Sequence, residues 1–335
     1  MFRSLVVGLG RSGRGLHLPV LDRVRTMEGC RHLFADLPPI AVDPCHCAGR
    51  LAGAVVVDSL VKAAALADPG HTIVHVCTPP TARAEVLERL AHLGYRRILV
   101  EKPLATDLAE LARIDRLRRS AGLQIEVVAP WLTSALTARI QAVLREGHLG
   151  RVQGISFLQR KPRFTRTQAG DGHPTAFDIE IPHAVGVALR LAGSAQVAEA
   201  GSTDMPFDDA VIPEMGGAWL VLEHTGGLRT EIDCDLTSPL RERRIIVELE
   251  GGTLIGHYSS SAQDDAAQLR IRVGGLEART VFRDDALARF LIGTYGRFAD
   301  ATSTCEDLSL NCDVVRLLAR AKWLSCERAP VLPLR

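Results

Sequence analysis

Aromatic side chains are scarce: nine Phe, three Tyr and three Trp stand in 335 residues, and a formal net charge of +1 adds no field of one sign. A single-stranded nucleic acid would find few rings to stack on and no basic groove to follow, which sets that class of partner aside. No apolar run approaches the roughly 20 residues needed to cross a bilayer. The opening stretch, MFRSLVVGLG, goes straight into a strand pattern rather than a secretory leader. The eight cysteines, at 30, 45, 47, 77, 234, 305, 312 and 326, have no regular spacing. They read as reduced thiols of a cytoplasmic protein, not as a disulfide framework. Cys45-His46-Cys47, with Cys30 and His32 upstream, lacks the spacing of a zinc knuckle or ribbon, so no metal is expected. Internal repeats and low-complexity segments are missing too.

What is present is apolar residue in quantity, 47% of a chain longer than one average domain, which predicts two domains. Residues 3–8 (RSLVVG) form a short strand pattern that runs directly into Gly8-Leu9-Gly10-Arg11-Ser12-Gly13 and a helix from Arg14 to Arg25. A strand feeding G-x-G-x-x-G at the opening of a helix is the arrangement in which backbone N–H groups receive a pyrophosphate. In it Gly8 permits the tight turn, Gly10 the close approach of the phosphates, and Gly13 the packing of helix on strand. The second strand, Pro39-Ile40-Ala41-Val42-Asp43, ends in an acid that can accept from both ribose hydroxyls and would repel a 2′-phosphate, favouring NAD. Arg50, close behind, leaves NADP open. Asp43 could also simply cap the next turn.

The alternation continues with a strand at Ala54–Asp58, a helix at Leu60–Ala67 behind the N-cap Ser59, and a buried strand at Thr72–Cys77 that stops at Thr78-Pro79-Pro80. Helix Ala82–Leu93, strand Arg97–Val100, helix Leu108–Ser120 and strand Gln124–Val128 complete a doubly wound parallel α/β array, a Rossmann fold over residues 1–129. Strand Arg97–Val100 delivers Glu101-Lys102-Pro103 to the edge where such sheets bind ligands. Beyond it the pattern changes. A helix at Thr133–Arg145, a strand at Val152–Gln159 and a polar loop at Arg160–Phe177 precede hairpin-like segments from Trp219 onward, and a last helix spans roughly Asp307–Leu324. Residues 130–335 therefore read as an α+β domain with an open, predominantly antiparallel sheet, for substrate binding and oligomerisation.

Gly8-x-Gly10-x-x-Gly13, Cys77-Thr78-Pro79-Pro80 and Glu101-Lys102-Pro103, in this order before a hairpin-rich second half, resemble the family of glucose–fructose oxidoreductase, inositol dehydrogenase and MocA. The resemblance implies an NAD(P)-dependent oxidoreductase acting on a CH–OH group, with NAD as cofactor and NADP as the alternative. Its cofactor residues would be Gly8, Gly10, Arg11, Ser12, Gly13, Asp43, Cys77, Thr78, Pro79, Pro80, Glu101 and Lys102. In the family the Lys-Pro bond is often cis, the Lys hydrogen-bonds the reacting oxygen, and a histidine of a D-x-x-x-H sequence exchanges the proton. That histidine corresponds to His183, although Ile179 stands where the Asp belongs and Asp178 and Glu180 flank it. If Pro182 is the first helical residue, His183 sits in the first turn and periodicity does not rank the two acids; if the helix begins earlier, Glu180 shares a face with His183, so it is slightly preferred as the orienting carboxylate.

Other departures are Arg83, where the family often has His, and Pro130, where it often has Asn. Trp131 would either cover the nicotinamide or pack at the domain junction. The substrate implied is a sugar, aminosugar, cyclitol or nucleotide sugar. Arg160, Lys161, Arg163 and Arg166 could hold a phosphate or carboxylate or form a solvated face, while Asp171, Asp178 and Glu180 suit a cationic aminosugar. The alternatives are a keto-sugar or imine reductase and a non-catalytic NAD(P)-sensing regulator. The open sheet face predicts a homodimer or homotetramer.

Overall fold

Continuous apolar runs without a polar face become parallel strands here, because helices cover the sheet on both sides. The computed structural model describes residues 1–45, 49–51, 53–170, 173–261, 264–300 and 307–327. Strands β1 (Arg3–Val7), β2 (Ile40–Val42), β3 (Gly49–Leu51), β4 (Ala54–Val57), β5 (Thr72–Val76), β6 (Arg97–Glu101) and β7 (Gln124–Val128) form one sheet. Its order is β3-β4-β2-β1-β5-β6-β7. All neighbours are parallel except the short edge strand β3, which the sequence does not predict and which runs antiparallel to β4. The six parallel strands have the order of a doubly wound dinucleotide-binding sheet, whose direction of winding reverses between β1 and β5.

The intervening helices start where their caps dictate. A π-helical turn at Gly13–His17 leads into α1 (Leu18–Val24). Ser59 Oγ accepts from Lys62 N at the start of α2 (Leu60–Leu66), and α3 (Arg83–His92) follows β5. Asp107 accepts from Glu110 N at 2.8 Å to open α4 (Leu108–Ala121).

After Pro130 the chain builds the second unit. Helices α5 (Ala135–Glu146), α6 (Phe164–Gln168) and α7 (Ile181–Ala192) accompany an eight-stranded sheet. Its strands are β8 (Val152–Arg160), β9 (Ala195–Phe207), β10 (Ala210–His224), β11 (Arg229–Asp235), β12 (Glu242–Leu249), β13 (Gly252–His257), β14 (Ala266–Val273) and β15 (Leu276–Arg283). The order is β15-β14-β13-β12-β8-β11-β10-β9, antiparallel throughout except for the parallel pair β8–β11. Two elements differ from expectation. The segment expected to be a loop contains α6. Strand β9 is not foreseen, because AQVAEAGSTDMPF carries small residues in place of alternating bulky ones and is held by its long pairing with β10.

The chain then returns to the first unit. Helix α8 (Ala286–Ala299) places Phe290, Leu291, Tyr295 and Phe298 in one core with Phe2, Val6, Leu21, Phe34 and Ile73. The two units are Met1–Ala129 with Leu287–Cys312, and Pro130–Ala286 with Asp313–Arg335, so the second crossing falls inside the stretch assigned whole to the second domain. Helix α9 (Asp307–Glu327) ends the described chain. No helix among the described residues is long and apolar enough to cross a membrane.

Candidate active site

The glycine turn has no room for side chains at two of its three glycines. Gly8 adopts φ +95°, and a Cβ there would lie 3.1 Å from the Cys77 carbonyl. A Cβ on Gly13 would stand 1.9 Å from Gly8 O. Gly10, by contrast, faces open space, with nothing within 4 Å of a built Cβ. Arg11 and Ser12 are the first helical residues after it. A helix start beside an open approach is suited to anionic phosphates. Asp43, directly after β2, accepts from Leu9 N at 2.7 Å and from Cys45 N at 2.9 Å, so its carboxylate ties the second strand's end to the glycine turn. Each carboxylate oxygen can accept more than one bond, and Asp43 retains the capacity to meet a ribose hydroxyl. The sterically required glycines, the open approach at Gly10 and the acid at the second strand's end fit a dinucleotide. The side chain of Arg50, with His46, Cys47, Asp171 and Cys305, lies outside the described residues. No cluster of three or more His, Cys, Asp or Glu able to hold a metal occurs among the described ones.

On the same sheet edge, Cys77-Thr78-Pro79-Pro80 leaves β5 and Glu101-Lys102-Pro103 leaves β6; the Lys102-Pro103 bond is cis. Arg83 joins the two segments. Buried, it donates from Nη1 to Pro103 O and from Nη2 to Thr78 O at 3.2 Å. Burial pulls its guanidinium down to about 10, against the charges of Glu101 and Glu110. The Glu101 carboxylate accepts from His17 Nε2 at 2.9 Å. Burial pushes Glu101 up, but that hydrogen bond and the charges of His17, Lys102 and Arg83 outweigh it and hold the carboxyl below its usual range. His17 is 0% exposed and its other nitrogen lies 2.8 Å from His75 Nδ1.

In the second unit, Glu180 stands immediately before α7 and Pro182 is the second helical residue, not the first. His183 donates its backbone N–H to Glu180 O at 3.1 Å. The Glu180 carboxylate pairs with Lys161 and with Arg243 at 3.3 Å, and Asp178 with Lys322 at 2.6 Å and Thr175 at 2.9 Å. Arg160 pairs with Asp235 at 3.0 Å, and Arg163 is buried. Trp131 stacks on Tyr258 (3.9 Å between centroids, 8°) and on His183 (5.2 Å, 23°). Tyr258 OH and Thr137 Oγ1 lie 2.9 Å apart, and Thr137 donates to Trp131 O at 2.6 Å, which fixes the stack from behind.

Sequence reasoning did not single out His17, His75 or the bridging role of Arg83. The available signal was polarity out of place: a histidine in the middle of the apolar strand TIVHV, and another one turn beyond the last glycine of the turn.

A doubly wound sheet with a sterically required glycine turn at its switch point defines a nucleotide-binding Rossmann unit. Residues 2–128 match the family of glucose–fructose oxidoreductase, inositol dehydrogenase and MocA, described as an oxidoreductase family with an NAD-binding Rossmann fold. Over this segment the chain carries the NAD-binding Rossmann unit of that oxidoreductase family. Solved structures of the same fold include KijD10, a 3-ketoreductase from Actinomadura kijaniata, in complex with NADP and TDP-benzene. It has 16% identity and a TM-score of 0.75 over 96% of each chain. An oxidoreductase from Agrobacterium radiobacter in complex with NAD+, L-tartaric acid and magnesium has 14% identity and a TM-score of 0.72, covering 97% of this chain and 96% of that one. No curated protein matches the chain in sequence.

Proposed function

We propose that the protein interconverts a secondary alcohol and a ketone on a sugar, aminosugar, cyclitol or nucleotide sugar, with NAD as the preferred dinucleotide. The observation that carries this reading is the place of Lys102, one residue beyond β6 on the sheet edge that also bears the glycine turn. When bound, the dinucleotide gives or accepts hydride at its nicotinamide ring. Lys102, as an ammonium, donates a hydrogen bond to the reacting oxygen and stabilises the negative charge that develops there. His183 takes the hydroxyl proton in the oxidative direction and returns it in the reductive one, a task for which imidazole is suited near neutral pH. The stack of Trp131 on His183 favours Trp131 as the support of that ring over a wall against the cofactor. The Glu180 carboxylate, expected to orient His183, holds Lys161 and Arg243 at the start of α7. A second copy of the chain covers the sheet face that carries Leu158, Trp219, Val221 and Ile246.

KijD10 is a 3-ketoreductase, which makes keto-sugars the first substrates to try. The test follows NADH oxidation with keto-sugars and imines, and NAD reduction with polyols and aminosugars. Lys102→Met is expected to lower turnover by about 10²- to 10⁴-fold while NADH still binds. Full activity in that variant overturns the role of Lys102. Wild-type protein that binds NADH but turns over no polyol, keto-sugar or imine is a sensor, not an enzyme.

A further inference from the structure

A chain of buried polar groups runs behind the Lys102 turn. His17 Nε2 lies 2.9 Å from Glu101 Oε1, His17 Nδ1 2.8 Å from His75 Nδ1, His75 Nε2 2.9 Å from Tyr295 OH, and Tyr295 OH 2.6 Å from Ser4 Oγ. His17, His75, Ser4 and Tyr295 are all buried. The direction of the chain follows from the protonation state of His17. A carboxylate only accepts, so Nε2–H of His17 donates to Glu101. With His17 protonated at both nitrogens, Nδ1–H donates to His75, His75 Nε2–H donates to Tyr295, and Tyr295 O–H donates to Ser4, so every bond has one donor and one acceptor.

We propose that His17 is a positioning residue for Lys102: as a buried imidazolium it satisfies the Glu101 carboxylate, which would otherwise take the neighbouring ammonium as its partner. The inference rests on the reading of Lys102 as the group that meets the substrate oxygen. Three cationic groups act on Glu101, namely His17, Lys102 and Arg83. Arg83 is committed to two backbone carbonyls. His17 hydrogen-bonds the carboxylate directly and is fixed from both sides. Its surroundings favour the charged form: burial pulls it down, but Cys77 and Glu101 raise it to about 10. On its other side His75 stays neutral, since burial and the charge of His17 both hold it well below 6.5. The π-helical turn Gly13–His17 is the local device that ends on this side chain; such turns are frequent at functional sites. Without the imidazolium the largely buried Glu101 carboxylate draws on the nearest cation in the chain, the Lys102 ammonium one residue away.

The proposal separates from a purely structural role by rescue. His17→Asn is expected to lower kcat/KM for the ketone by roughly tenfold or more with NADH affinity unchanged, and His17→Asn with Glu101→Gln to regain most of that loss, because the competing carboxylate is gone. Unchanged kcat/KM in the single variant, or a double variant no more active than the single one, overturns it. Should the variants not fold, nitrogen-15 NMR of histidine-labelled wild-type protein decides: a doubly protonated His17 at neutral pH is expected, and a neutral ring overturns the proposal. Lys102→Met keeps the two readings apart. Full activity in that variant removes the role of Lys102, whereas loss of activity there with a silent His17→Asn removes only the role of His17.

Discussion

His17 and His75 share one hydrogen bond in the first unit; burial pulls both down, and at His17 alone Cys77 and Glu101 reverse the direction. The sign of each contribution to stability follows from linkage. His17 has its pKa raised from 6.5 to about 10, so its stabilisation is complete below about 6.5 and lost as pH climbs toward 10. His75 is depressed, so its share is present above 6.5 and lost as pH falls. Denaturant titrations are therefore expected to show the destabilisation by His17→Asn largest near pH 6.5 and fading toward pH 10; a cost independent of pH would contradict a charged His17. Asp43 supports a second expectation at this scale. Fluorescence titration should give tighter binding of NADH than of NADPH, and equal or tighter NADPH binding would remove Asp43 as the discriminating acid. The strand-end places of Lys102 and Asp43 and the steric need for Gly8 and Gly13 were legible, because a glycine-rich turn and a polar residue closing an apolar strand stand out in the sequence. His17, His75 and Glu101 were not legible as one cluster, since their partners lie 58 and 84 residues apart and no local spacing records that.

The strand–turn–helix from β1 to α1 is the element on which nucleotide binding depends, and its glycines differ in what they forbid. At Gly13 a methyl group would stand 1.9 Å from Gly8 O, so Gly13→Ala must push the helix off the strand. Overpacking of this kind costs roughly 1–3 kcal/mol, and NADH binding should be lost with it. At Gly10 nothing lies within 4 Å, so Gly10→Ala should melt like the wild type and yet bind NADH more weakly, because the methyl occupies the open approach. A Gly10→Ala protein with unaltered NADH affinity would show that the phosphates do not pass there. Elements with strong periodic or capping signals, such as β5 or α4 with Asp107 and Gly122, lie within a residue or so of their expected ends. Those that escaped notice, β3, β9 and α6, are short or built from small residues, and partners distant in sequence decide their conformation.

At the scale of the whole chain, the decisive element is α8, which sequence alone leaves unassigned between the hairpins and the last helix. It belongs to the unit that begins at residue 1: Phe290, Leu291, Tyr295 and Phe298 are buried in its core, and Tyr295 hydrogen-bonds Ser4 and His75. Burying a large apolar side chain is worth roughly 1.5–3 kcal/mol. Such side chains together reach the order of 6–12 kcal/mol, the same size as the net stability of a typical domain, about 5–15 kcal/mol. A fragment of residues 1–129 keeps the parallel sheet, the glycine turn and Lys102, but it exposes the core surface that α8 covers and leaves the buried histidine chain without its tyrosine. It should show no cooperative thermal transition by circular dichroism and no NADH binding. Joining residues 287–312 to it through a flexible Gly/Ser linker should restore both, because a linker of that kind costs little entropy to close. Cooperative melting and NADH binding by residues 1–129 alone would mean that α8 is an accessory and that the first unit is complete before the chain leaves it.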